Sequence, residues 1–78
     1  WKLDRSSMGS SSGTVVATVA GLIAFGIGSE TGGSIVLPAA TVGATGLRPT
    51  FGRVGRSGCM ALSWSLDKLG PVARSAED

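Results

Sequence analysis

From Ser6 to Ser29 the chain carries no charged residue, and its apolar positions change rhythm along the way. Val15, Val16, Val19, Leu22 and Ile23 recur at steps of three and four, which predicts a buried helix over Thr14 to Leu22. Ala17, Ala20 and Gly21 give that helix a small face for close packing, and Gly21 is also placed to end it. The next stretch, AFGIGS (Ala24 to Ser29), reads as a short buried strand whose Gly26 and Gly28 mark the close approach of another backbone. SIVLPAATVG supports two readings, because Pro38 either sits in a first helical turn or breaks a strand. TGLRPT (Thr45 to Thr50) reads as a strand end closed by an x-Pro turn, and FGRVGRSG as a glycine-punctuated loop or a short hairpin. SWSLDKLGPV then leads to Ser75 and Asp78, which have the Ser-x-x-Asp spacing of a capping box at a helix start. Helix, strand, loop, strand and helix again is an α/β order.

Length changes this picture. Seventy-eight residues allow one small domain with a core near the lower limit of independent folding. The chain opens on Trp1 without an initiator Met and closes on a helix-start signal, so it is expected to be a piece of a larger domain. The uncharged run raises the question of a membrane span, but TVVATVAGLIAFGIG is short and rich in Gly and Thr. A segment buried inside a protein with no membrane association is the expectation. The net charge of +2 and the four aromatic residues offer neither a basic groove nor a stacking platform, which argues against nucleic-acid binding by this segment. The single Cys59 fits a reducing, cytoplasmic compartment. With no histidine and one cysteine, a Cys/His metal site cannot be built within the chain, and no cofactor is expected.

Two serine-bearing loops, MGSSSG and TGGS, flank the first helix and strand. A serine nucleophile needs a base for its proton and donors for the developing oxyanion. The run Glu30-Thr31-Gly32-Gly33-Ser34 suits the second need, since glycines let successive N–H groups be aimed inward. A helix starting just after Ser34 would add its N-terminal field. Read from TGGS alone, a tight turn with nothing bound is the better account. A Ser-His-Asp system is impossible here without histidine. Gly9 to Gly13 formally fits a G-x-S-x-G elbow, but LDRSSM is a poor strand to precede one. A Ser-Lys system is the remaining variant, in which the lysine is held neutral by desolvation and reaches the nucleophile through a second hydroxyl.

MGSSSGT, TGGSIVLPAATVGATGLRPTFGRVGRSG and SLDKLGPVARSAED, with Ser34 24 positions after Ser10, resemble in order and spacing the amidase signature family. The resemblance covers essentially the whole chain and implies part of an α/β/α domain with a mixed central sheet flanked by helices, in a Ser–Ser–Lys amide hydrolase or amidotransferase. Ser34 would be the acyl-forming nucleophile. Ser10 would be the bridging serine, preceded by a cis peptide bond. The N–H groups of Thr31, Gly32, Gly33 and Ser34 would form the oxyanion hole. Glu30 would support the loop, and Arg48, Arg53 and Asp67 would be structural. The implied partners are a small-molecule amide substrate and, in the amidotransferase reading, partner subunits of a tRNA-dependent complex that receive ammonia from glutamine. A phosphate-binding or packing segment is the non-enzymatic alternative, although GIGSETGG lacks the P-loop spacing and its Lys-Ser/Thr.

The chain departs from the family pattern at four positions. Met8 and Ser12 replace glycines, Thr14 replaces a small Ser, and Val36 stands where many members have Arg, a change that bears on substrate preference. The family's catalytic lysine lies upstream of the Gly/Ser loop, and neither Lys2 nor Lys68 matches its motif.

Overall fold

The computed structural model describes residues 2–78. Its elements run α1 (Ser12–Val19), β1 (Gly26–Glu30), α2 (Val36–Val42), β2 (Thr45–Gly46) and β3 (Lys68–Ala73). The class is α/β, as expected. Strand order is β1-β3-β2, and both described pairings are antiparallel, where a mixed sheet was anticipated for the domain. No helix among the described residues is long and apolar enough to cross a membrane.

α1 starts two residues earlier than Thr14 and ends three before Leu22. The early stop has a local cause. Gly21 adopts φ +76°, its N–H donates to the Thr18 carbonyl at 3.1 Å, and the Leu22 N–H reaches back to Ala17 at 3.0 Å. This pair of bonds is a Schellman stop, and glycine takes its left-handed position without a Cβ penalty. Arg74, just past β3, donates from Nη1 to the Thr18 and Ile23 carbonyls at 3.3 Å each. A cation therefore sits against the electronegative end of α1.

Pro38 lies in the first turn of α2, where a backbone N–H would have no helical partner in any case. α2 ends at Gly43, at φ +81°, with the Gly43 and Ala44 N–H groups both donating to the Ala39 carbonyl.

β1 begins at Gly26, two residues later than Ala24, and its buried positions are Gly26, Gly28 and Glu30 while Ile27 faces outward at 65% exposure. Gly26 is paired with Val72, Gly28 with Gly70, and Gly46 with Val72, so these residues share one face of the sheet. Both helices pack on that face. The close approach expected at Gly26 and Gly28 is made by helix-borne side chains, not by a backbone. A Cβ on Gly28 would lie 2.8 Å from Ser11 Oγ and 2.9 Å from Ile35 Cγ1, and one on Gly26 would collide with Thr14. Glycine therefore trades strand propensity for a thin sheet on which α1 and Ile35 can settle.

β3 is the central strand even though it contains Pro71, and no strand was anticipated there. The Leu47 N–H donates to the Pro71 carbonyl at 3.1 Å, but proline has no N–H to return. Pairing with β2 is accordingly limited to Thr45↔Ala73 and Gly46↔Val72, and the chain leaves through Arg48 and Pro49. FGRVGRSG is loop rather than hairpin.

Val15, Ile35 and Val72, each 0% exposed, form the core, with Val42 and Ala44 packed against it. Ile35 touches the glycine positions of all three strands, since Cβ atoms at Gly28, Gly46 and Gly70 would each meet its side chain. Ile35→Ala in the full-length protein is expected to lower the unfolding free energy by about 2–5 kcal/mol, read from chemical denaturation. A change under about 1 kcal/mol would show that this cluster is not the centre of the packing.

Candidate active site

The segment SSMGSSSG, flexible by composition, is held by specific bonds. Ser11 Oγ donates to the Ser29 carbonyl at 3.1 Å and accepts from the Ser29 N–H at 3.2 Å, so one hydroxyl extends the edge of β1 as a strand residue would. The Ser11 N–H donates to the Ser34 carbonyl at 3.0 Å. These three bonds bring MGSSSG and TGGS side by side and put the residue next to Ser10 in contact with the backbone of Ser34. The Gly9–Ser10 peptide bond is cis, the form the resemblance implies, and Met8 before it has φ +62°. Ser10 is exposed and Ser34 half-buried. Sequence reasoning overlooked Ser11, because three consecutive serines are equivalent until a partner strand distinguishes them.

Glu30 ends β1 on its buried face and is 0% exposed. Its Oε2 accepts the Ile35 N–H at 2.5 Å and the Val36 N–H at 3.0 Å. Two N–H groups at the start of α2 are orphan donors by helix geometry, and a carboxylate there satisfies them and complements the helix dipole. Glu30 therefore acts as a cap reached from five residues upstream, which gives the loop-support role expected of it a specific form. Its other oxygen, Oε1, is buried with no hydrogen-bond partner among the described residues. The two N–H groups bound by Oε2 are taken up by that carboxylate, and the amides expected to face an oxyanion are those before them.

Those amides belong to Thr31, Gly32, Gly33 and Ser34. Gly33 has φ +138°, a region that L side chains rarely adopt, and a Cβ there would lie 2.8 Å from Leu37 Cδ1. Its carbonyl accepts the Leu37 N–H at 2.8 Å, which ties the 32–34 turn to the first turn of α2. Gly32 is exposed, with open space where a Cβ would stand. Thr31 Oγ1 donates to Asp67 Oδ1 at 2.5 Å, a contact across 36 residues that the sequence did not announce.

Asp67 is held on every side. Its carboxylate accepts the Leu62 N–H at 2.8 Å and the Ser63 N–H at 3.0 Å. Thr31's hydrogen bond is the main cause that keeps its carboxyl below the usual range, aided by the Leu62 and Ser63 amides and the Arg56 charge and opposed by partial desolvation. Arg56 lies over the Phe51 ring at 4.5 Å and the Trp64 ring at 5.1 Å, and its Nη1 donates to the Trp64 and Asp67 carbonyls. Arg56 thus orders the 51–66 loop, while Arg48 and Arg53 are exposed. Lys68 Nζ donates to the Leu66 carbonyl, so that amine is engaged by its own loop.

The site is thus two serine loops stitched edge to edge on a thin sheet. The family model described as Amidase matches residues 1–78, and the chain belongs to that family. Among individual proteins it is similar to the glutamyl-tRNA(Gln) amidotransferase A subunits of Geobacillus thermodenitrificans (strain NG80-2) and Bacillus thuringiensis (strain Al Hakam). It is 51% identical to each over 78 residues, which is 100% of this chain and 16% of either relative. Its fold matches the crystal structure of an amidase family protein from Bacillus anthracis str. Ames with a TM-score of 0.87 and 46% identity, over 88% of this chain and 14% of that one. The chain therefore spans 16% of the length of the curated relatives it matches.

Proposed function

We propose that this chain is part of a larger amidase domain that hydrolyses a small-molecule amide through a Ser34 acyl-enzyme. The observation that carries this reading is the hydrogen bond from the Ser11 N–H to the Ser34 carbonyl, which joins the cis Gly9–Ser10 loop to the Gly-Gly-Ser turn. Ser34 Oγ attacks the amide carbonyl while its proton passes to Ser10 Oγ, and the Ser10 proton passes to a neutral lysine of the longer protein. The charge on the former carbonyl oxygen is met by amides of the Thr31 to Ser34 turn. The C–N bond breaks as the protons return along the relay to the leaving amine. Water then cleaves the Ser34 ester, releasing the carboxylic acid.

A second reading is favoured by the 51% identity to amidotransferase A subunits. In it the amide is glutamine, and the ammonia released passes to partner subunits of a tRNA-dependent amidotransferase. Glutaminase activity that appears only with co-purified partner subunits supports this second reading, and partner-independent turnover of simple amides supports the first. The exposed Cys59 is in keeping with a reducing, cytoplasmic setting.

The test is covalent labelling of the full-length protein by a fluorophosphonate, followed by peptide mapping. Modification is expected at Ser34, and a label located on another serine overturns the assignment. The 78-residue chain alone is expected to show no measurable amide turnover, because it contains no lysine matched to the base; turnover by it would refute the relay described above.

A further inference from the structure

We propose that Asp67 is a positioning residue for the oxyanion turn, acting through its hydrogen bond with the Thr31 hydroxyl. The inference rests on the reading of Thr31 to Ser34 as the oxyanion turn, and it goes beyond the structural role that the family resemblance implies for Asp67. The turn has two ends. Its Ser34 end is fixed three times over: by the Ser11 N–H on the Ser34 carbonyl, by the Leu37 N–H on the Gly33 carbonyl, and by Glu30 on the two following amides. At its other end, where β1 stops at Glu30, the Thr31 side chain reaches one described partner, Asp67.

Between the two ends stand Gly32 and Gly33, the residues least able to hold a direction by themselves. An N–H donor contributes to catalysis only when it is aimed before the charge develops. Losing the Thr31 anchor therefore frees the rotation of the very amides that must point at the oxyanion.

The anchor itself is rigid. Asp67 takes the Leu62 and Ser63 amides on its carboxylate, its own N–H donates to the Ser63 carbonyl at 2.9 Å, and its carbonyl accepts Arg56 at 3.2 Å. Arg56 is in turn stacked on Phe51 and Trp64. A carboxylate serving only the 62–63 turn would have no need to face β1, yet its Oδ1 is shared between Ser63 and Thr31. The 51–66 loop thus works as a bracket that delivers one oxygen to the oxyanion turn.

The titration of Asp67 has a definite sign. Its folded carboxyl is lowered, so the bracket is complete at neutral pH, and its contribution to stability is lost only as pH falls through that lowered value. The groups facing it are the Thr31 hydroxyl, the Leu62 and Ser63 amides and the Arg56 guanidinium.

The experiment uses the full-length protein and compares wild type with Asp67→Asn, Thr31→Val, Thr31→Ser and the double variant Asp67→Asn/Thr31→Val. Two quantities are read: the second-order rate of fluorophosphonate labelling, and backbone amide exchange over residues 31–34 by mass spectrometry. Thr31→Val and Asp67→Asn are each expected to slow labelling by about ten- to a hundredfold and to speed exchange within 31–34 at least severalfold. The double variant is expected to be no worse than Asp67→Asn alone, because the Thr31 contact is already disrupted there. Thr31→Ser keeps the hydroxyl and recovers most of the loss seen with Thr31→Val.

Labelling and exchange that match wild type in both single variants, or additive losses in the double variant, overturn the proposal. Should Asp67→Asn fail to fold, Thr31→Val alone decides, since it spares the Leu62 and Ser63 bonds. If wild type is not labelled at Ser34 at all, the hydrolase reading fails, while the exchange data still settle whether Asp67 holds the turn.

Discussion

Ser34→Ala in the full-length protein is expected to abolish amide hydrolysis, with kcat/KM falling by at least about 10⁴-fold, and to eliminate fluorophosphonate labelling. The size of the effect follows from the role of the group. A nucleophile that becomes covalently bonded to the acyl carbon has no substitute when its oxygen is removed, and the oxyanion turn alone retains only the residual catalysis that comes from binding. The fold should be indifferent to the change. Ser34 contacts the rest of the structure through its carbonyl, on Ser11, and alanine keeps that group. A denaturation midpoint matching wild type, together with lost turnover, is therefore the expected signature. Labelling that persists in Ser34→Ala would falsify the acyl-enzyme assignment, whatever the residual activity.

Glu30→Ala is expected to cost about 3–5 kcal/mol of stability, with loss of labelling at Ser34 as a consequence. Three terms act in the same direction. The Ile35 and Val36 N–H groups lose their acceptor, α2 loses a carboxylate at its electropositive end, and a void opens in a fully buried position. Glu30→Gln keeps an oxygen that can accept from both amides, and it should lose roughly half as much, since a neutral acceptor is weaker than a charged one. The order wild type, Gln, Ala in chemical denaturation checks the cap. Equal stability of all three would mean that α2 is held by Ile35 and its packing alone.

Elements carried by local signals were legible in advance, and those carried by distant partners were not. The 3–4 spacing of valines placed α1, but its end waited on Gly21, whose left-handed conformation overrides the apolar pattern that continues through Leu22 and Ile23. Pro38 was compatible with helix or strand from its neighbours. It became helical because Glu30 supplies the acceptors that start α2. β3 was not anticipated, since a Gly-Pro pair such as Gly70-Pro71 argues against a central strand. In the fold Gly70 is required by the nearby Leu47 carbonyl, and Pro71 is tolerated because β2 ends where its missing N–H would be needed. At Ser75 and Asp78 the spacing corresponds to the reciprocal bonds of a capping box, with Asp78 Oδ2 accepting the Ser75 N–H at 3.1 Å and Ser75 Oγ the Asp78 N–H at 3.4 Å, while the helix start read there is not seen among the described residues.

The same division holds for the site. Residue order and spacing by themselves singled out the proposed serines and glycines, because the expectation for Ser10, Ser34 and the Gly32-Gly33 pair rests on residue type and on their spacing within this chain. Only the tertiary structure decided what holds them. Ser11 became the stitch between loops, Glu30 the cap of α2, and Asp67 the partner of Thr31, each through bonds spanning 5 to 36 residues. A carboxylate or hydroxyl in a sequence is one acceptor among many, and only folding selects the donor that it meets.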